Sequence, residues 1–409
     1  MISYLNALSI VRNSANGFAL CQETVPLLES LGRVLAADVI ADINLPPFNN
    51  AAMDGIAISY SSERRYWKLQ GEISAGHYME ISSLREDEAV QIMTGAKLPS
   101  QCDTIIPIED LQIKGGGASL AVDFRQIKKG QHIRQQGEDL AKGHKALSAH
   151  CKISAAQIPI LATCGLDFVP VFRKLKIAIL STGDELVDID KIPTGDQIRV
   201  SNLSSLSALV SSIGHTSINY GVARDALDAP TGVLSKMSKI LESDVDIVLL
   251  TGGVSMGKFD YVREAMDLLG VQSHFWQSMI RPGKPLTFGT HESARGRKFV
   301  FGLPGNPVSC FVNFYTYVVA LIDSITGVDD SVKRVRAKLV NDVRKRDNKR
   351  HFMRAKYFVD PENGESKVLV LSEQTSGNLY GLGQANCLAV ILEDVLNPSA
   401  GEVLECILI

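Results

Sequence analysis

The chain lacks the cysteine and histidine patterns that mark a zinc site. Its seven cysteines are scattered over 409 residues without a Cys-x-x-Cys pair, and its eight histidines include no His-x-x-x-His spacing. Zinc is held by such closely spaced sulfur and nitrogen ligands. We therefore expect any metal here to have oxygen ligands. An odd number of scattered cysteines is typical of a reducing compartment, which predicts a cytoplasmic protein.

Long apolar runs and a strong net charge are also missing. We find no run of roughly 18 apolar residues, the length expected of a membrane helix, and no basic segment followed by an apolar run at the N-terminus. These absences predict a soluble, unexported protein with no membrane partner. The formal charge of −3 gives no general attraction to polyanions, so we expect no nucleic-acid partner. A local cationic pocket remains compatible with this balance.

Two common catalytic motifs are absent. No Gly-x-Ser-x-Gly elbow occurs and no histidine lies in the glycine-rich loops, which argues against a Ser-His-acid hydrolase. Gly252 to Lys258 fits the glycine and lysine positions of a P-loop, but Phe259 stands where that motif needs Ser or Thr. Without that hydroxyl the usual magnesium ligand is missing. The sequence therefore favours a related glycine-rich anion loop over a nucleotide-hydrolysing P-loop.

The length and the local patterns predict several domains. A chain of 409 residues exceeds one ordinary core. Residues 1–40 show apolar residues at helical spacing, residues 59–139 show short apolar stretches separated by turns, and residues 154–165 read as a helix capped by Ser154. We predict a discontinuous N-terminal helical and linker domain, a β-rich inserted domain, an α/β domain and a C-terminal β domain, with these bounds: 1–48 with 140–173, 49–139, 174–328 and 329–409.

The third of these domains alternates strand and helix signals. The strands are predicted at 176–181, 216–222, 245–251 and 298–302, and the helices at 202–212 after a Ser201 cap, 226–242, 258–269 and 307–325. Such alternation predicts a parallel, doubly wound sheet. Ligands of these sheets bind at the carboxyl ends of the strands.

Polar loops follow these predicted strand ends. They span residues 181–185, 251–260 and 302–309, and a further polar turn spans 281–285. Four acids lie in or near them: Asp184, Glu185, Asp225 and Asp260. Carboxylates gathered at one sheet edge are suited to hold a hydrated magnesium ion against a phosphate. The alternative for any single acid is helix N-capping.

Cations and hydroxyls complete this set. Arg281 and Lys284 flank Pro282, and Pro285 follows them, so a stiff turn would present two positive charges to an oxyanion; the alternative is a solvated surface turn. Ser255 and Ser309 could donate hydroxyls to an anion, and the helix start near Ser309 could offer amides. Ser309 could equally be a first-turn residue without function.

Together, these segments resemble the molybdopterin molybdenumtransferase family, which includes bacterial MoeA proteins and the gephyrin E domain. The resemblance covers almost the whole chain in order. The matching pieces are Pro47-Phe48 with Ala52-Met-Asp-Gly55, Thr94-Gly-Ala96, Asp103, Glu109-Asp110, Gly137-Glu-Asp139, Ser181-Thr-Gly-Asp-Glu185, Ser201-Asn202, Thr251-Gly-Gly-Val-Ser-Met-Gly257 with Asp260, Pro282-Gly-Lys-Pro285 and Leu303-Pro-Gly-Asn-Pro-Val-Ser309.

The resemblance implies the last step of molybdenum cofactor synthesis. Adenylylated molybdopterin and molybdate would give molybdenum cofactor and AMP, with Mg²⁺ assisting cleavage of the phosphoanhydride. It also implies a homodimer, and transient contacts with the adenylyltransferase that supplies the substrate and with recipient molybdoenzymes.

The resemblance also assigns residues. Asp260, Glu185 and Asp225 would be catalytic acids and metal ligands, and Lys284 would be a catalytic cation. The implied substrate contacts are Ser255, Arg281, Gly252, Gly253, Pro304, Asn306, Ser309, Asp54, Thr94, Asp139, Arg350 and Ser376. Of these, Asp54, Thr94 and Asp139 match motif positions that the family brings across a homodimer cleft.

Two positions depart from the family pattern, and rival functions remain open. Arg281 stands where many members have Lys, which keeps the charge but changes its geometry, and Ala51 replaces a more usual Ser. The rivals are a non-catalytic molybdopterin-binding scaffold of the same fold and a hydrolase of nucleotide diphosphates with a related domain, as in the competence-damage-inducible family. Retention of Asp260, Glu185 and Lys284 argues against the scaffold, and the flanking domains argue against the hydrolase.

Overall fold

The computed structural model describes residues 1–77, 81, 83–227, 229–254 and 261–409. The chain forms two compact units. The first contains Met1–Val25, Gly32–Ala36 and Pro170–Ile409, and the second contains Pro26–Leu31 and Ala37–Val169.

The N-terminal segment contains one short helix, α1 (Tyr4–Ser14). It begins where the Ser3 hydroxyl accepts a hydrogen bond from the Asn6 amide at 3.2 Å, and it buries Tyr4, Ala7 and Val11. The prediction of helix through residue 40 is wrong. The chain turns at Gly17, where φ is 77°, and continues as strand β1 (Gln22–Pro26) and a 3₁₀ turn over Leu27–Ser30. The apolar residues of this segment have helical spacing, but Gly17 and Pro26 interrupt the helix.

The second unit is built on a six-stranded sheet, as the β-rich prediction requires. Its elements are β2 (Val39–Ile40), β3 (Asn50–Ala51), β4 (Gly55–Ile58), β5 (Tyr66–Ile73), β6 (Glu88–Ile92), β7 (Thr104–Pro107), β8 (Leu111–Lys114), β9 (Gly117–Leu120), β10 (Ile133–Arg134), β11 (Lys145–Leu147) and α2 (Gln157–Thr163). The strand order is β7-β4-β6-β5-β9-β8. Successive residues of β4 enter different apolar clusters, Ile56 and Ile58 one and Ala57 the other, so this sheet is covered on both faces.

After β12 (Phe168–Phe172) the first unit continues as an α/β domain. Its elements are β13 (Lys176–Thr182), β14 (Leu186–Val187), β15 (Ile198–Arg199), α3 (Ser201–Ser212), β16 (Thr216–Ala223), α4 (Val233–Glu242), β17 (Ile247–Thr251), α5 (Tyr261–Leu268), β18 (Gln272–Trp276), β19 (Ile280–Arg281), β20 (Thr287–Ser293), β21 (Gly296–Leu303), α6 (Pro307–Asn313) and α7 (Val319–Thr326). The strand order is β16-β13-β17-β21-β20-β18. The chain leaves β13 toward β16 and then returns to pair β17 on the other side, so the sheet has a topological switch point between β13 and β17.

The observed sheet confirms the predicted doubly wound core, but one edge of the sheet differs from the prediction. The four predicted strands are parallel neighbours, but β20 and β18 extend the sheet as antiparallel strands that the sequence pattern did not predict. The first residues of two helices also differ from the prediction. α4 begins at Val233 rather than residue 226, and Ser201 is the first residue of α3, with Val200 in the cap position.

The helix predicted at 307–325 is continuous and buried. It runs through α6, a π-helical turn at Phe314–Val318 and α7. Pro307–Thr326 is long and apolar enough to span a membrane by length and composition, contrary to our expectation, but 83% of its 18-residue window is buried inside the structure. Such burial is typical of the core helix of a folded domain, and the helix contributes Val312, Phe314 and Leu321 to the main apolar cluster.

The C-terminal part is a small closed barrel. Its strands are β22 (Arg334–Leu339), β23 (Arg350–Val359), β24 (Ser366–Val370), β25 (Cys387–Ile391) and β26 (Val403–Leu408), and a helix not predicted from the sequence, α8 (Leu379–Gln384), precedes β25. The order β19-β23-β24-β22-β26-β25 closes through an additional β23–β25 pairing. Phe352, Leu388 and Ile407 join the same apolar cluster as α1 and the α/β sheet. This shared core fixes the barrel against the α/β domain within the first unit.

Candidate active site

A cleft of about 690 Å³ opens at the switch point of the α/β sheet. We call it the glycine cleft. Its walls are the ends of β13 and β17, the start of α3 and the segment 304–307, and Gly377 and Leu379 of the C-terminal part also line it. This is the place where doubly wound sheets bind their ligands, as the sequence predicted.

The floor of the glycine cleft is polar. The Asn202 amide donates to the Thr251 hydroxyl at 3.1 Å and to the Gly305 carbonyl at 2.8 Å, and the Ser181 and Thr251 hydroxyls lie 3.4 Å apart. Two buried atoms, Thr182 Oγ1 and Asn202 Oδ1, have no hydrogen-bond partner among the described residues. An unpaired buried polar atom costs free energy.

Two glycines let the backbone come close to this floor. Gly252 has φ of 89° and Gly253 has φ of 62°, a region that side chains other than glycine rarely adopt. A Cβ on Gly252 would lie 2.6 Å from the Thr182 carbonyl oxygen and 2.8 Å from its hydroxyl. The glycines predicted to contact substrate are therefore required by the turn itself and by its close approach to Thr182.

We expect Gly252→Ala to lower the free energy of unfolding by about 1–3 kcal/mol, because the residue would hold a left-handed conformation against backbone contacts. Chemical denaturation of the purified variant measures this. Gly270→Ala is the matched control, since Gly270 also has positive φ but has nothing within 4 Å of the added Cβ. An equal loss in both variants would contradict the claim that close approach at Gly252 matters.

Two of the four predicted acids lie at the rim of the glycine cleft. Glu185 and Asp225 both line it. The Asp225 carboxylate accepts from the Asp184 amide at 3.4 Å, and the Asp184 carboxylate accepts from the Asp225 amide at 3.3 Å, so the two strand-end loops hold each other. Asp260 and Ser255 lie outside the described residues. Across the described part of the chain, no group of three metal-ligating side chains is assembled.

A second cavity of about 460 Å³ adjoins the glycine cleft. We call it the cationic cavity. The two share Pro285, Pro304 and Asn306 as lining residues. The cationic cavity is further lined by predicted residues Arg281, Lys284, Ser309 and Ser376 and by Lys349, which the sequence analysis did not single out. The structure thus brings the cations of the 281–285 turn beside the helix start at Ser309.

Buried Asn313 holds this turn in place. Its side-chain amide donates to the Gly283 carbonyl at 3.2 Å and to the Ser309 carbonyl at 3.0 Å. Gly283 has φ of 106°, and a Cβ there would lie 2.7 Å from the Asn313 amide nitrogen. Lys284 is exposed, and no described acid lies within ion-pair distance of its ammonium. Its charge therefore faces the cavity without an internal acid partner in the described chain.

Lys349 lines the cationic cavity, whereas its neighbour Arg350, the predicted substrate contact, is held elsewhere. The Arg350 guanidinium pairs with Glu393 at 3.0 Å and lies 4.4 Å from the centre of the Tyr4 ring, and Arg350 is not among the described residues that line either cavity. Lys349 faces the cationic cavity. Neighbouring residues at the start of a strand point to opposite faces. The signal that could have found Lys349 is the register of β23, which the sequence alone did not fix.

Buried Arg354 organises the loop that carries Ser376. Its guanidinium donates to the carbonyls of Glu373, Thr375 and Asn378 at 2.6, 3.0 and 2.5 Å, and only 1% of the residue is exposed. The Ser376 carbonyl in turn accepts from the Val308 amide at 3.3 Å. Arg354 was also missed, because a single arginine within an apolar strand pattern gives no sign of what it holds.

We expect Arg354→Met to weaken oxyanion binding at the cavity and to lower the free energy of unfolding by about 1–3 kcal/mol, because buried carbonyls lose their donor. Denaturation of the full chain and its titration with inorganic sulfate measure the two effects. Arg336→Met, which replaces an exposed arginine on β22, serves as control. Unchanged sulfate binding in a destabilised Arg354→Met variant would show that anion binding at the cavity does not depend on this residue.

Three predicted residues lie in the second unit. The Asp54 carboxylate accepts from the Thr94 amide and hydroxyl, both at 2.7 Å, and these hydrogen bonds, with that from the hydroxyl the larger, lower the pKa of Asp54. Asp139 pairs with Arg134. The loops of Asp54 and Asp139 are joined by the β3–β10 pairing, in which Ile133 lies opposite Ala51. The structure therefore places these motif positions on adjoining loops of one unit.

Comparison with known proteins gives a consistent result along the chain. Family models match in order: the MoeA N-terminal region (domain I and II) at residues 2–165, a probable molybdopterin binding domain at 178–324, and the MoeA C-terminal region (domain IV) at 336–409. A molybdopterin molybdenumtransferase of Haemophilus influenzae is 33% identical over 385 residues, covering 93% of this chain and 92% of that protein. The chain belongs to the molybdopterin molybdenumtransferase family. It is accordingly a transferase of molybdenum cofactor biosynthesis.

Other members of the family support this assignment. A molybdopterin molybdenumtransferase of Nostoc sp. is 33% identical, with 90% of this chain and 84% of that protein covered. The crystal structure of the molybdopterin biosynthesis moeA protein from Pyrococcus horikoshii OT3 superposes with a TM-score of 0.84 at 26% identity, over 100% of both chains. The predicted family and fold class are confirmed.

Proposed function

We propose that this transferase inserts molybdate into adenylylated molybdopterin and releases AMP and molybdenum cofactor. The observation that carries the proposal is the pairing of two cavities. The glycine cleft has carboxylates and unpaired buried polar atoms, the adjoining cationic cavity has Arg281, Lys284 and Lys349, and the two share a wall. One site suits a phosphoanhydride and the other suits an oxyanion.

In the glycine cleft, the backbone turn at Gly252 and Gly253 would receive the phosphate groups of the substrate. Glycine is needed here because both residues have positive φ, a backbone conformation that places this turn at the cleft wall. Cleavage of the phosphoanhydride adds one water across a P–O bond, and AMP leaves.

A magnesium ion fits the donor set of this cleft. Glu185 and Asp225 line the cleft, and carboxylate oxygens are the ligands that Mg²⁺ takes in phosphate sites. These two acids and Asp260 would hold the ion, and Mg²⁺ would supply positive charge to the phosphates. The roles of Asp260 and Ser255 stay predictions from the family motif.

In the cationic cavity, Arg281 and Lys284 would bind molybdate by charge-assisted hydrogen bonds. The Ser309 region offers the amino-terminal end of a helix whose described course runs to Thr326, and such helix ends favour anions. Ser376 lies at the same cavity. Arg281 in place of lysine would change the geometry of these contacts rather than their charge.

The quaternary and cellular context is part of the proposal. We propose a homodimer in which Asp54, Thr94 and Asp139 of one copy complete the site of the other, as the family resemblance implies. The protein would act in the cytoplasm, take its substrate from an adenylyltransferase and pass the product to molybdoenzymes by transient contacts.

Release of AMP tests the proposed reaction. Purified protein is incubated with adenylylated molybdopterin and Mg²⁺, with and without molybdate, and AMP is measured by chromatography. Molybdate-dependent AMP release is the expected result. Tight binding of adenylylated molybdopterin without AMP release would contradict the proposal and favour a scaffold of the same fold.

A further inference from the structure

Asp347 lies at the centre of a cluster of cationic and imidazole groups beside the cationic cavity. One carboxylate oxygen lies 3.1 Å from the Lys349 ammonium and 3.3 Å from the Arg281 guanidinium. The other lies 2.8 Å from His351 Nε2. Arg281 and Lys349 both line the cationic cavity. One internal carboxylate therefore engages two of the cations that face the proposed molybdate site.

The cluster is held in a defined geometry. His351 is 4% exposed, and burial lowers its pKa, so the neutral imidazole donates from Nε2 to Asp347. Burial alone would raise the pKa of Asp347, but hydrogen bonds from His351 and Lys349 outweigh it and hold the pKa below its usual value. The amide of Lys349 also donates to Asp347 at 3.1 Å. Asp347 is accordingly a fixed negative charge.

The third cation of the cavity differs from the other two. Lys284 has no described acid within ion-pair distance, whereas Arg281 and Lys349 share Asp347. An arriving oxyanion would meet one cation without a described acid partner and two cations that share a single carboxylate, which offsets one of their two charges. Its charge-assisted contacts with Arg281 and Lys349 would compete with Asp347 for the same donors.

We propose that Asp347 is an internal counter-anion that sets the oxyanion affinity of the cationic cavity. It positions Arg281 and Lys349 and weakens their hold on a tetrahedral oxyanion, so that the ion is bound loosely enough to be passed on. This role rests on the proposed function, because it takes molybdate as the ion that is passed on. It makes Asp347 a positioning and affinity-determining residue that does not itself touch the reacting atoms.

Equilibrium binding of inorganic molybdate to the full chain tests this role. By isothermal titration calorimetry, Asp347→Asn should bind molybdate on the order of tenfold more tightly than the unaltered protein, because about one charge-assisted contact is returned to the cavity. Sulfate affinity should rise by a similar factor, since the effect is one of charge. Asp347→Glu keeps the carboxylate and should restore affinity to within about threefold of the unaltered protein.

Three controls keep the result specific. Asp360→Asn removes an acid of the same barrel that pairs with Lys367 and should leave molybdate affinity unchanged. The double variant Asp347→Asn, Lys349→Met should lose most of the increase in molybdate affinity. Asp347→Ser, which also removes the charge, should reproduce the gain if the asparagine variant does not fold. Equal or weaker molybdate binding by folded Asp347→Asn would overturn the proposal.

The outcomes separate this role from the proposed reaction. Tighter anion binding in Asp347→Asn, with no AMP release by the unaltered protein, would support the counter-anion and contradict the transferase reaction. Unchanged anion binding with normal AMP release would overturn the counter-anion alone. Absence of molybdate binding to every variant would contradict both.

Discussion

We expect Glu185→Gln to lower the rate of the proposed molybdate-dependent AMP release by about 100- to 1000-fold, the loss expected when one charged group that stabilises a phosphoryl-transfer site is removed. The Glu185 carboxylate lies at the rim of the glycine cleft and the residue is exposed, so the substitution removes charge without opening the core. Single-turnover measurement of AMP release at saturating substrate gives the rate directly.

The control for this variant is Glu242→Gln, an exposed acid at the end of α4 that lines neither of the two cavities. It should release AMP at the rate of the unaltered protein. Both variants should keep the same unfolding midpoint. An unchanged AMP rate in Glu185→Gln would show that this acid does not take part in cleavage, and the metal assignment would then lose one of its two described ligands.

We expect Lys284→Met to raise the molybdate concentration needed for half-maximal rate of the proposed reaction by about 10- to 100-fold, because a charge-assisted hydrogen bond is worth about 1.5–3 kcal/mol. The change should be larger in this concentration than in the maximal rate, since the ammonium would bind the oxyanion both before and during insertion. Steady-state AMP release over a molybdate titration separates the two quantities.

Lys239→Met is the matched control for Lys284→Met. Lys239 is an exposed lysine on α4, so its loss changes the net charge equally without touching the cationic cavity. The molybdate concentration needed for half-maximal rate should not change in the Lys239→Met variant. The same shift in both would indicate a general charge effect and contradict a specific contact at Lys284.

The parts of the site that sequence reasoning located are those encoded locally. Glu185, Asp225 and Gly252 follow strands whose apolar runs are evident, and parallel strands bring their carboxyl ends to one edge. The structure places all three at one cleft. Local signals were sufficient there because strand polarity and glycine turns act over a few residues.

The parts that were missed depend on packing between distant segments. Lys349, which lines the cationic cavity, was not singled out because the sequence does not reveal which side of β23 faces the 281–285 turn, and that face is set by the pairing of Ile280 with Arg350 in β19 and β23. Asn313 and Arg354 act through backbone carbonyls far away in sequence. Their side chains carry no motif, because any donor of the right reach could serve.

The contrast between local signals and packing of distant segments also explains where the observed fold differs from the predicted one. The antiparallel strands β18 and β20 pair over a few residues beside a parallel core, and neither shows the strand-helix alternation that identified the other four. Residues 27–31 keep helical spacing, but Leu27–Ser30 forms only a 3₁₀ turn directly after β1, which ends at Pro26. Tertiary pairing, rather than propensity alone, decided β18 and β20.

Activation of a cofactor-free molybdoenzyme tests the central claim most directly. The purified protein is given adenylylated molybdopterin, Mg²⁺ and molybdate, and the mixture is added to the apoenzyme while AMP is measured in the same sample. We predict activation that requires molybdate and rises in proportion to AMP released. AMP release without activation, or activation that is independent of this protein, would contradict molybdate insertion as its function.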